Sequence, residues 1–316
     1  MAAGSIRTYP LDMVNDLSVM TWNVRYFGHG TGGLRTTELQ IRRAAEAIGA
    51  IAPPPDVLAL QEVETRSLRG GGHPEDQLER FRAHLHEALG RLGRQERYVG
   101  LHFPAHAYTL PGGSALYTTG LAFLVRVGID IESHNADDPH DITHVRVSAF
   151  RRLKQRRIAA HVRLRPQGAR AAIDLFNTHL SLPAFLEVGP HRVPHRMGHG
   201  SNQVEEVDRV LDLLGREASD RAVLMGDFNA APGSPVYRAL THAGWVDAHA
   251  HHLGADLADL REHASARFMH LRMHLDHVFS TPAVRWRDFH AHRIDGPGPF
   301  RGLSDHAPKV GRLHLL

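Results

Sequence analysis

The chain has 316 residues, 42% hydrophobic and 22% charged, an ordinary globular balance with enough apolar material for a sizeable core. It has no cysteine, which excludes disulfides, thiol catalysis and thiolate-held metals, so any metal must be held by oxygen and nitrogen donors. The formal charge of +3 rests almost wholly on arginine, with lysine only at Lys154 and Lys309; it suits an anionic substrate without requiring one, because GC-rich coding gives the same bias.

No apolar run approaches the ~20 residues of a membrane helix, and Met1 to Asp16 lacks a secretory h-region, so a cytoplasmic protein with no stable membrane insertion is the expectation. Leu17 to Val24 reads as the first strand, with Asn23 near its end and a glycine loop from Gly28 to Gly33 after it. Thr37 and Gln40 have capping-box spacing for a helix whose stripe is Ile41, Ala44, Ala45 and Ile48, stopped by Pro53-Pro54-Pro55. Asp56 to Val63 is a second apolar strand ending in Gln61-Glu62, and Leu78, Phe81, Leu85, Leu89 and Leu92 mark a second amphipathic helix. Short strands are expected at Tyr98 to Phe103, Gly120 to Arg126 and Ile129 to His134, with a Gly/Pro/Tyr loop from Pro104 to Thr119 between the first two. Arg157 to Leu164 alternates, with Ile158, Ala160, Val162 and Leu164 on one face and Ala159, His161 and Arg163 on the other, the pattern of a half-exposed strand. Ala172 to Leu180 is the next strand, followed by a Pro-, Gly- and His-rich loop from Pro183 to Gly200. Asn202 with Glu205 is placed to cap a third helix whose stripe is Val204, Val207, Leu211 and Leu214.

Arg221 to Met225 then carries an apolar run to Gly226-Asp227-Phe228-Asn229, where Gly, Pro and Ser break it. Residues two apart on a strand share a face, so Asp227 and Asn229 can address one site; a plain turn reads equally well, since Asp and Asn are ordinary turn formers. A short helix follows near Val236 to Ala243, and the His-rich stretch Ala248 to Leu275 has no clear assignment. Final strands are expected at Leu275 to Ser280, Val284 to Ile294 and Lys309 to Leu316, with Ser304-Asp305-His306 in the loop between the last two. Strands outnumber helices and no linker divides them, which predicts one layered α/β domain over residues 17–316 behind an extension of residues 1–16.

Six strand ends or adjoining loops carry polar groups of one kind: Asn23, Glu62, His179, Asp227 with Asn229, Asp276, and Asp305 with His306. Such groups are costly beside apolar strands unless paired or functional. Carboxylates, amides and imidazoles delivered to one rim are what a hard-metal hydrolase needs: acids to hold a cation and prepare water, amides and imidazoles to stabilise charge on phosphate.

Trp22-Asn23-Val24, Leu60-Gln61-Glu62-Val63, Asn177-Thr178-His179-Leu180, Gly226-Asp227-Phe228-Asn229, Leu275-Asp276-His277-Val278-Phe279 and Ser304-Asp305-His306 occur in an order that resembles the endonuclease/exonuclease/phosphatase superfamily of DNase I-like enzymes. The resemblance implies a DNase I-like four-layer α/β sandwich, two packed mixed or antiparallel sheets flanked by helices, and hydrolysis of a phosphoester with one or two Mg²⁺ or Mn²⁺ ions. It further implies that Glu62 binds metal with help from Asp305, that Asn23 sits beside the metal and the phosphate, and that Asp227 activates the attacking water. Asn229 would position that water, and both would lie against the metal. Asp276 would fix the tautomer of His306, the acid/base or charge stabiliser, and His179 would contact the scissile phosphate.

Weaker candidates stand around these. His191, His195 and His199, with Arg192 and Arg196, grip an anionic substrate only if their loop folds over the site. Arg157 is placed to reach phosphate, with a surface position as the plainer reading, and Tyr117 is a pocket-lining candidate. His249, His251, His252, His263, His270 and His274 invite a zinc reading, but no His-Glu-x-x-His pattern accompanies them, which favours solvated loops. Nucleic acid is the favoured substrate and a monomer the default. A lipid or small-molecule phosphoester, sphingomyelinase-like or inositol-phosphate-like, is the alternative, and a silent binding module the third reading.

Overall fold

The structure, a computed structural model, describes residues 16–144, 155–183, 196–268 and 270–315. β1 (Asp16–Asn23) leads through a loop with two short 3-10 turns, Arg25–Phe27 and His29–Thr31, to Thr37, whose Oγ1 accepts from the Gln40 amide and opens α1 (Glu38–Gly49). β2 (Val57–Val63) lies parallel to β1, with α1 as the crossover, and α2 (Gln77–Arg91) packs beside α1. Leu92, expected on the stripe of α2, follows the helix end and is 55% exposed. β3 (Tyr98–Thr109) and β4 (Ala115–Arg126) form one long hairpin through the segment expected as a loop. Pro104 has no N–H to give the ladder, and the chain meets this with a bulge between Pro104 and His106, after which pairing resumes.

β5 (Ile129–His134), β6 (His140–Asp141), β7 (Ile158–Pro166) and β8 (Ile173–His179) follow. β7 is not half-exposed along its length: Ala159 and His161 are buried, His161 stacked on Phe176 with centroids 4.4 Å apart, and exposure begins at Arg163. α3 (Ser201–Glu217) starts after Gly200 rather than at Asn202. Gln203 Oε1 accepts from the Gly198 and Gly200 amides, and Asn202 instead donates to the Leu182 carbonyl. Its buried face accordingly runs through Gln203, Glu206, Val207, Val210 and Leu214, leaving Val204 and Leu211 half-buried.

β9 (Ala222–Asp227) and α4 (Pro235–His242) come next, then β10 (Val246–Asp247), α5 (Ala248–Leu253), α6 (Leu257–Glu262) and the β11 (Ala266–Phe268)–β12 (Leu271–Met273) hairpin, which fill the unassigned His-rich stretch. β13 (Asp276–Ser280), β14 (Arg285–Ala291) and β15 (Lys309–His314) complete the described chain.

One sheet has the order β14-β15-β1-β2-β4-β3, the other β10-β13-β9-β8-β7-β5 with β6 on β7. Their inner faces share a core of Leu17, Val19, Val57, Ala59, Phe123, Val162, Leu175, Val223, Met225 and Val278. Met20, Trp22, Leu58 and Leu60 face the other way onto α1 and α2, and Phe176, Leu224 and Phe279 face α3 and α4. The result is the expected helix–sheet–sheet–helix sandwich. Among the described residues no helix is long and apolar enough to cross a membrane.

Strand alternation places the polar groups. Leu17, Val19, Thr21 and Asn23 follow one another at every second position of β1, as Val57, Ala59 and Gln61 do on β2; Ile173, Leu175, Asn177 and His179 do so on β8, and Val223, Met225 and Asp227 on β9. The inter-sheet core therefore runs from aliphatic to polar along the strands, and its polar end is where the six sequence blocks meet.

Candidate active site

Register sets the first row of the site. Parallel pairing of β8 with β9 puts His179 beside Asp227, and antiparallel pairing of β9 with β13 puts Asp227 beside Asp276. Gly226 permits this approach: at φ +149° a Cβ there would lie 2.0 Å from the Thr178 carbonyl oxygen. Across the sandwich, Asn23 pairs with Gln61, and Glu62 is the extra residue where the β2–β4 register shifts between Gln61 and Val63. Its φ of +58° is the cost of a bulge that turns its carboxylate towards the other sheet.

Asn23 joins the two sheets: its Nδ2 donates to Glu62 Oε1 at 3.2 Å and to Asp227 Oδ2 at 3.0 Å, while its Oδ1 accepts from the Arg25 amide at 2.9 Å. His179 Nε2 lies 3.5 Å from Asp227 Oδ2 and 3.9 Å from Glu62 Oε1. His306 Nε2 lies 3.6 Å from the same Asp227 oxygen, and its Nδ1 donates to Asp276 Oδ2 at 2.9 Å. Ser265 Oγ donates to Asp276 Oδ2 at 2.7 Å, fixing the carboxylate that fixes the ring. Asn229, at φ +47°, gives its backbone N–H to Asp227 Oδ1 at 2.9 Å and its Nδ2 to the Leu180 carbonyl at 2.8 Å. Asp305 lies at the edge, paired through Oδ2 with Arg25 Nη1 at 2.9 Å. Beneath the cluster, Gln61 Nε2 donates to Thr21 Oγ1 and, at 2.7 Å, to Asn177 Oδ1 across the sheets.

Burial raises the Glu62 carboxyl, against the stabilising hydrogen bond from Asn23. Burial likewise pushes Asp227 upward, with His306 opposing and the Asp276 charge adding. Burial opposes charge on His306, yet Asp276 and then Asp227 outweigh it and hold the imidazolium well above the usual histidine range. His179 goes the other way: burial, then Arg157 and His306, hold its ring neutral. One face of the cleft thus carries an imidazolium beside a carboxylate, and a neutral imidazole on the far side of that carboxylate.

The residues present suit a hard divalent cation. Glu62, Asp227, Asp276 and Asp305 bring carboxylates to one cleft; Asp276 and Asp305 already have cationic partners, and Glu62 and Asp227 are the ones whose charge burial disfavours and a cation would offset. The donors are oxygen and imidazole without sulfur, the set that suits Mg²⁺ or Mn²⁺. One ligating atom each from Asp227, Asp276 and His306 lie within 4.8 Å of one another. His306 Nδ1 is committed to Asp276, which leaves the carboxylates as the groups that would hold a cation.

Arg157 lies near the cluster: its charge acts on Glu62, His179 and Tyr26, and among the described residues its buried Nε has no hydrogen-bond partner. Tyr117 stands farther out on β4, beside Arg69. His199 is exposed in the turn before α3, with no hydrogen bond or ion pair to the cluster among the described residues, and His191 lies outside those residues. Of the histidine-rich stretch, His249 and His274 are not solvated. They are buried against Lys309, whose Nζ donates to His274 Nε2 at 2.7 Å and faces His249 Nδ1 at 3.4 Å. Burial lowers Lys309 to about 8 and His249 to about 3. Arg25 and Tyr26 escape sequence reading. They sit in a turn where Arg25, Tyr26 and Phe27 all have φ between +46° and +54°, without a glycine to mark it.

The model of the Endonuclease/Exonuclease/phosphatase family matches residues 20–306. Among solved structures the chain resembles an endonuclease/exonuclease/phosphatase from Beutenbergia cavernae at 24% identity and TM-score 0.60, over 95% of this chain and 72% of that one. The human Nocturnin catalytic domain with bound sulfate aligns at 18% identity and TM-score 0.60, over 97% and 96% of the two chains. ANGEL2, a 2',3'-cyclic phosphatase, aligns at 16% identity and TM-score 0.59, over 95% of each. No curated protein matches the chain.

Proposed function

The chain belongs to the endonuclease/exonuclease/phosphatase family, and from that premise we propose that it is a Mg²⁺- or Mn²⁺-dependent phosphodiesterase acting on nucleic acid, with residues 17–316 as its catalytic domain. The observation that carries this reading is the meeting of Asn23 and Glu62 from one sheet with His179, Asp227 and Asp276 from the other, all about His306.

Glu62 and Asp305 hold the cation in this reading, with Asp227 beside them. When bound, the cation supplies Lewis acidity to the phosphate and lowers the pKa of water. Asp227, whose two oxygens are fixed by the Asn229 N–H and by Asn23 Nδ2, takes the proton of the attacking water. Asn23, with both ends of its amide engaged, holds the Glu62 and Asp227 carboxylates at fixed separation. Asp276 fixes the Nδ1–H of His306, so Nε2–H points at the phosphate, neutralises charge and can protonate the leaving oxygen. Neutral His179 and the free Nε–H of Arg157 donate to the non-bridging oxygens.

The test is a panel of plasmid, single-stranded DNA, RNA, sphingomyelin, an inositol polyphosphate and a bis-ester chromogen in Mg²⁺ or Mn²⁺. Nucleic acid is cleaved, EDTA abolishes cleavage, and Asp227→Asn and His306→Ala each lower it by about 10²–10⁴. Turnover confined to the lipid or small esters replaces the nucleic-acid assignment. EDTA-resistant turnover removes the metal, and no turnover on any member leaves a binding protein.

A further inference from the structure

The β3–β4 hairpin carries an aromatic strip that the hydrolytic chemistry does not use. Tyr108 and Tyr117 are cross-strand partners with rings 5.7 Å apart and 4° from parallel, and Tyr108 is 36% exposed. Behind Tyr117 the Arg69 guanidinium lies 4.8 Å from that ring and 3.6 Å from the ring of Tyr26. Arg69 is tied in place by Glu64 and by the Thr118 carbonyl. Tyr26 in turn lies within the field of Glu62 and Arg157. The planar groups thus run as one line from the carboxylate cluster out to solvent.

Among the described residues, two buried nitrogens near this line, Arg157 Nε and His106 Nε2, have no hydrogen-bond partner, and His106 sits beside Tyr117 with centroids 6.2 Å apart. Unpaired buried polar atoms beside an open π surface call for a ligand with hydrogen-bonding edges as well as a flat face. Arg69, although paired with Glu64, presents its guanidinium plane along the strip, and Arg157 adds a second guanidinium near it, which suits a ligand with planar substituents and phosphates.

We propose that Tyr108, Tyr117, Arg69 and Tyr26 form a stacking track for the unpaired bases of single-stranded nucleic acid leading from the scissile phosphate. This rests on the nucleic-acid reading of the site and narrows it, because a base can lie on these rings only when it is free of its complement.

The test is fluorescence anisotropy in EDTA, with a labelled single-stranded oligonucleotide and the same strand built of tetrahydrofuran abasic residues. The wild-type chain binds the base-bearing strand about ten-fold tighter. Tyr108→Ala with Tyr117→Ala removes the difference, and Tyr108→Phe with Tyr117→Phe keeps it. Equal affinity for the two strands in the wild type, or a preference that survives the double alanine variant, overturns the proposal. Cleavage of the base-bearing strand in Mn²⁺ is scored beside it. A base preference without cleavage rejects the hydrolase and keeps the track; cleavage without base preference does the reverse.

Discussion

His306 shows how one neighbour sets a side chain's task. Asp276 accepts from Nδ1 and raises the ring's affinity for its proton, and Ser265 holds Asp276. Asp276→Asn removes the negative charge, so the ring falls back towards the ordinary histidine range. Activity that needs the imidazolium is then lost at lower pH than in the wild type. The pH profile of kcat/KM at saturating Mn²⁺ checks this: its basic limb moves down, with a fall of about 10²-fold at pH 8. An unmoved limb removes the dyad. Asp276 and His306 are legible in the sequence because each stands next to an apolar strand where an unpaired polar group is costly. Arg25 is not, since an arginine in a turn looks solvated until Asp305, far along the chain, is brought against it.

At the scale of elements, Asp227 reaches the cleft because β9 presses on β8 through a residue with no side chain. Gly226→Ala places a methyl group on the Thr178 carbonyl and demands a backbone φ that alanine resists. A loss of about 3 kcal/mol or more is expected in urea unfolding, with β8 and β9 forced apart; a loss below about 1 kcal/mol contradicts the account. The central strands β1, β2, β8 and β9 are legible as apolar runs, and α1 from its cap and stripe, whereas the alternation read on β7 overstates its exposure. The bulge at Glu62 is not, because no sequence mark distinguishes a glutamate at positive φ. The outer part of the β3–β4 hairpin, Pro104 to Thr119, reads as a loop because proline and glycine signal breaks, whereas tertiary pairing absorbs Pro104 as a bulge. The burial of His249 and His274 is equally hidden, since it depends on Lys309, 35 residues beyond His274.

For the whole molecule, two sheets contribute different halves of one site, and in the proposed reading a cation held there would tie them together. Without it, Glu62 is a buried carboxylate whose charge is disfavoured. The most direct measurement is the melting temperature of the wild type and of Glu62→Gln across a Mg²⁺ or Mn²⁺ titration started from EDTA. The account predicts a saturable rise of about 5 °C for the wild type at roughly a hundred-fold excess over Kd. It also predicts no such rise for Glu62→Gln, whose metal-free melting temperature equals or exceeds that of the wild type. The same metal response in both chains, or none in the wild type, would contradict it.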